Sequence, residues 1–256
     1  MDNLSSKAKK FFNYIEKETG LKCKIENQTP EGYMHAQSDY QPGNNFFTLY
    51  LNAPNEEDMF VHELLHIQIE LIDKLPILGF PPNGNPGMDN ELYQIVKLLR
   101  NYTDDQLVAK RLWKMEYNPF SKDLLERLKR EPIKQMRGNN PNALNIYYQY
   151  GNKVGELFRA YFYLQTEFIK EQYQGWTTLE DLKNIETFQN LFKVRFRDMF
   201  NLISKLEKIY RTYDLENYEE RKQLFLELVK LAEIEKKVVL VSYKKGKAGY
   251  LLDDKV

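Results

Sequence analysis

Apolar residues recur every three or four positions along most of the chain, a spacing that predicts helices. Ala8, Phe11, Phe12 and Ile15 form the face of the first, with Ser5 or Ser6 placed to cap it and Gly20 to end it. Between Asn55 and Asp73 the run Phe60, Val61, Leu64, Leu65, Ile67, Ile69 and Ile72 is apolar almost all round, so this second helix is expected to be buried. Asn55 followed by Asp58 is its candidate cap. Lys74 to Met88 then gathers proline and glycine into a loop that no helix can cross. The next helix is predicted from Asp89 to about Tyr117, with Leu92, Ile95, Leu98 or Leu99, Tyr102, Val108 and Leu112 facing inward and Asp105 on the same stripe.

A short helix from Asn118 to Arg130 and a loop from Pro132 to Asn145 lead to a long amphipathic helix with Val154, Leu157, Phe158, Tyr161, Leu164, Phe168 and Ile169 on its apolar face. Thr177 and Glu180 have capping-box spacing before another stripe, Leu182, Ile185, Phe188, Phe192, Phe196, Met199, Ile203 and Leu206. A last helix is expected over about Glu216 to Glu235. Three stretches alternate instead of following a helical period: Leu21 to Glu26, Gly32 to Ser38 and Asn45 to Asn52. They predict a small antiparallel sheet. Lys237 to Val241 and Gly249 to Leu252 flank a basic turn, the pattern of a β-hairpin. The expectation is an α+β fold, predominantly helical, with residues 1–131 forming one part and 132–256 a helical part with the hairpin, as two domains or one continuous one.

Composition narrows the function classes. Lys plus Arg and Asp plus Glu number 37 each, so no overall field favours nucleic acid or an anionic membrane. The single cysteine, Cys23, suits a reducing compartment, and the first residues form an amphipathic helix with no apolar signal-peptide core. A cytoplasmic protein that binds neither nucleic acid nor membrane is expected.

The candidate chemistry lies in the second helix, as His62-Glu63-Leu64-Leu65-His66. Positions i and i+4 stack on one helical face, so two imidazoles can grip one ion while Glu63, about 100° around the helix, reaches a water on that ion. Catalytic zinc takes three protein ligands, and of the three histidines only His35 remains, so a carboxylate is the better third. Asp105, an acid in mid-stripe that needs a reason to be buried, ranks ahead of Glu91 in a helix's first turn, with Asp104 third. His35 and Tyr147 or Tyr148 are candidate donors to substrate or transition state. Arg100, Arg111 and Tyr102 are candidates for holding a substrate carbonyl or carboxylate, and Glu70 for orienting a ligand histidine.

With its HExxH helix, the segment from about residue 45 to 75 resembles the zincin metallopeptidases. The resemblance implies a small sheet packed on the motif helix, with Asn45 to Asn52 similar to the strand bordering the substrate cleft. Asn90-Glu91 looks like the Asn-Glu pair of gluzincins, whereas Asn101 with Asp104-Asp105 is similar to a stretch downstream of HExxH in bacterial zincin-like families. It also implies one zinc ion, a peptide or protein substrate and Glu63 as general base. The alternative is a non-catalytic binding or regulatory module of zincin-like fold, stabilised by its metal.

Overall fold

The computed structural model describes residues 4–26, 36–40, 44–51, 56–79, 89–119, 152–172, 175, 177–243 and 250–255. Among the described residues the molecule is predominantly helical with two small sheets. Two compact units are each assembled from separated stretches. One contains Met1–Ile77, Asp104–Pro119 and Val239–Lys255, and the other Leu78–Thr103 and Phe120–Val238.

In the first unit, helix α1 (Ser6–Thr19) has the ends its sequence calls for. Ser5 accepts a hydrogen bond from the Ala8 amide, and Gly20 adopts the left-handed conformation, φ 70°, that a residue with a Cβ rarely takes. The backbone N–H and hydroxyl of Ser5 also donate to the Glu57 carboxylate, both at 2.6 Å, which ties the start of α1 to the start of the motif helix. Strands β1 (Lys22–Glu26), β2 (Ala36–Asp39) and β3 (Phe46–Leu51) form a sheet in the order β1-β3-β2.

The sheet is mixed, not antiparallel as expected: β1 pairs parallel to β3, and only β2 pairs antiparallel with it. The reason is burial. β3 buries Phe47, Thr48, Leu49 and Leu51, whereas β1 exposes every second residue. The most apolar strand takes the centre and β1 goes to an edge; because direction reverses from β1 to β2 and again from β2 to β3, placing β3 beside β1 makes that pair parallel.

Helix α2 (Glu57–Ile67) lies against β2 and β3 and buries Phe60, Val61, Leu64, Leu65 and Ile67. Its N-cap is Glu56, with no side-chain cap bond, and Asn55 lies outside the described residues. The single helix expected to Asp73 ends at Ile67, and Gln68–Ile72 continues as a π-turn in which the Asp73 N–H donates to the Gln68 carbonyl at 2.9 Å. β5 (Val239–Tyr243) and β6 (Tyr250–Lys255) pair antiparallel, and the basic turn between them lies outside the described residues. Val239 and Val241 pack with Ile77, Tyr40 and Leu71. Ile77 opens a short strand, β4 (Ile77–Gly79).

Helix α3 (Asp89–Lys114) contributes its residues from Asp104 onward to this unit. In the second unit are its earlier residues and α4 (Asn152–Gln172), α5 (Leu179–Arg195), α6 (Phe200–Thr212) and α7 (Tyr218–Ala232). The stripe expected as one helix from Leu182 to Leu206 is broken at Phe196, whose φ of −121° and ψ of 43° leave the helical region before a 3-10 turn, Arg197–Met199. The capping box sits one residue later than expected: Thr178 accepts from the Asp181 amide, and the Asp181 carboxylate accepts from the Thr178 N–H. Tyr102, Tyr161 and Tyr210 form a buried aromatic cluster, with Tyr102 at 4.3 Å from Tyr161 and 4.8 Å from Tyr210 between ring centroids. The loop Pro132 to Asn145 lies outside the described residues, as does the expected helix from Asn118 to Arg130 beyond its first two positions. Among the described residues, no helix is long and apolar enough to cross a membrane.

Candidate metal centre

The burial of α2 turns its few polar side chains into a constellation. Leu64, Leu65 and Ile67 anchor the helix, and the i, i+4 step then stacks His62 above His66. Their rings are 4.9 Å apart between centroids, and their Nε2 atoms are 3.1 Å apart. Asp105 arrives from α3, held by the buried neighbours Leu107, Val108 and Leu112. Its Oδ1 stands 3.2 Å from Nε2 of His66 and 3.6 Å from Nε2 of His62. These three side chains form the one group of possible metal ligands among the described residues.

The three spacings test which ion fits. Arms of about 2.0–2.1 Å at tetrahedral angles require ligand atoms about 3.3–3.4 Å apart, whereas an octahedral ion with similar arms requires neighbours at about 3.0 Å. Edges of 3.1, 3.2 and 3.6 Å straddle both values, so the three atoms can hold one divalent ion of either geometry. Three electron-rich atoms this close repel unless a cation or a proton lies among them. The side chains of His62, His66 and Asp105 are 22%, 20% and 39% exposed, so solvent reaches the centre from one side.

Electrostatics bind the three groups together. Burial of the His66 ring disfavours the imidazolium, but its hydrogen bond to Asp105 and the charges of Glu63, Asp105 and Asp104 outweigh this and raise its pKa to about 9. Burial likewise pushes the Asp105 carboxyl up, yet hydrogen bonds from His62 and His66 and their charge hold it far below the usual carboxylate range. Glu63 is only 4% exposed, and its carboxylate acts on His66 at short range. Asp104 is also buried, at 4% exposure, and adds to the same negative field.

The other candidates divide sharply. His35 and Tyr147 lie outside the described residues, as does the side chain of Glu91, the third residue of α3. Tyr102 is core: it is 3% exposed within the tyrosine cluster of the second unit, where burial raises its phenol well above the ordinary value. Arg111 donates to the Asp73 carboxylate. Arg100 is half-buried on α3. Glu70 falls in the π-turn Gln68–Ile72. Sequence reasoning missed the Asp73–Arg111 pair, because nothing in the local pattern announces the π-turn that brings Asp73 round. Comparison of the chain with known protein families, characterised proteins and solved structures gave no significant match.

Proposed function

We propose that this protein is a zinc-dependent metallopeptidase of zincin-like organisation, acting on a peptide or protein in the cytoplasm. The observation that carries the reading is the convergence of two histidine nitrogens and one carboxylate oxygen within 3.6 Å of one another, at a helix that also buries Glu63. His62, His66 and Asp105 would hold one ion. Zinc in such a setting acidifies a water and polarises a carbonyl. Glu63 takes the proton as attack begins and passes it to the leaving amine nitrogen, so one carboxylate serves as base and then acid.

The contact of α2 with β2 and β3 supports the zincin-like reading, and the antiparallel β5 and β6 support a terminal hairpin. Strand β2 is an edge of its sheet among the described residues, and an extended peptide can add to such an edge through backbone hydrogen bonds. The test pairs metal analysis with hydrolysis of an unstructured peptide pool. The parent protein should hold one zinc per chain and cleave, and Glu63→Gln should keep the zinc and lose about 10²-fold or more of the rate. Full activity in Glu63→Gln removes the general-base role. A bound zinc with a fourth protein ligand and no cleavage returns the protein to the binding-module alternative.

A further inference from the structure

Two contacts tie α3 to the segment that carries the histidines, and their spacings differ by one residue. Asp105 meets His66 at 3.2 Å; six residues later on α3, Arg111 Nη1 donates to Asp73 Oδ2, and Asp73 is seven residues after His66. Six α-helical residues advance about 9 Å and turn about 600°, whereas seven advance about 10.5 Å and turn about 700°. Net of whole turns, an unbroken α-helix would return Asp73 to within about 20° of the His66 face, whereas Arg111 stands about 120° round α3 from Asp105, so the two contacts leave α3 on different faces and together resist its rotation.

The π-turn fixes the backbone at Asp73. Its Asp73 N–H to Gln68 carbonyl bond closes over five residues instead of four, so one extra residue is absorbed in the turn. The side chains of Arg111 and Asp73 are 16% and 24% exposed, and Gln68 Nε2 reaches the other Asp73 oxygen at 3.5 Å.

We propose that Arg111, Asp73 and the π-turn form a register latch that positions Asp105 against His62 and His66. The latch rests on the metal reading of that site and gives it a positioning residue outside the donor set. A one-residue slip of α3 would swing Asp105 about 100° away and bring Asp104 or Gln106 toward the imidazoles. Arg111 touches none of the three donor groups through this contact; it acts through the helix that carries Asp105.

The experiment compares Arg111→Met, Arg111→Lys and Asp73→Asn with the parent in the full chain, with circular dichroism to confirm folding. Zinc affinity by chelator competition should fall 10- to 100-fold in Arg111→Met and Asp73→Asn, the range seen when groups behind metal ligands are removed. Arg111→Lys, which keeps one N–H to carboxylate contact, should recover most of it, and the visible spectrum of the cobalt-loaded protein should change in Arg111→Met and return in Arg111→Lys. A second arm, in chelator, measures the melting points of Asp105→Asn, Arg111→Met and the double variant. A latch makes the two losses non-additive, because removing Arg111 already loosens Asp105; independent sites this far apart add. Parental zinc affinity in Arg111→Met, or strict additivity without metal, overturns the latch. A parent that binds no zinc sinks the metal reading instead, and the metal-free arm still decides the latch.

Discussion

Replacing Asp105 with asparagine tests the centre most directly, because the side chain keeps its size and loses only its charge. Zinc held by a full donor set contributes about 10–16 kcal/mol, so one donor of four accounts for about 3–4 kcal/mol. Asp105 Oδ1 is one of three donors among the described residues, standing 3.2 Å and 3.6 Å from the two imidazole nitrogens. The expected loss in zinc affinity is therefore about 10²- to 10³-fold, since 1.4 kcal/mol is a factor of ten. Without metal, the same change removes the carboxylate that hydrogen-bonds the His66 ring and opposes its desolvation, so His66 should titrate well below its value of about 9. Chelator competition reads the first effect and NMR titration of the three histidines the second. An Asp105→Asn protein that binds zinc like the parent, and in which His66 still titrates near 9, would refute the assignment of Asp105 as both ligand and partner.

The linked pH dependence has a definite sign. His66 is raised above its ordinary 6.5, so its pairing stabilises the metal-free protein fully below about pH 6.5 and is lost as pH rises through about 9. Asp105, held low, adds stability above about pH 4 that disappears as pH falls below it. Because a proton on His66 competes with zinc, the rise in melting temperature caused by zinc should grow from pH 6 to pH 9; a rise that is flat or shrinks over that range contradicts the shared nitrogen. Leu206→Ala, at a fully buried position in α6, should cost about 2–5 kcal/mol in chemical denaturation and leave zinc affinity unchanged. Thr178→Ala removes the cap of α5 and should cost about 1 kcal/mol by the same measurement; an unchanged midpoint would place the helix start elsewhere.

The local pattern determined whatever depends on neighbours in sequence. Ser5 and Gly20 bound α1 because a hydroxyl can accept from an amide three residues on and only glycine enters the left-handed region freely. His62 and His66 share a face because helical geometry leaves them no choice, and the apolar surround of α2 made its burial legible. Asp105 was expected as a buried acid on an inward stripe, yet its side chain is 39% exposed and the buried acid is its neighbour Asp104; Asp105 meets the histidines at the edge of that stripe.

Tertiary structure decided the rest. Whether β1 ran parallel or antiparallel to β3 depended on which strand the core placed at the centre, and alternation within a strand does not say which partner it takes. The apolar stripe continues through Phe196, so only the packing of α5 and α6 revealed the break. The π-turn after His66 leaves no mark in its own residues, Gln68–Ile72, and the Asp73–Arg111 pair beside it joins positions 38 apart in the chain. What the chain spells out locally is which groups can share a face. How far one helix must turn to meet another is settled only when both are packed.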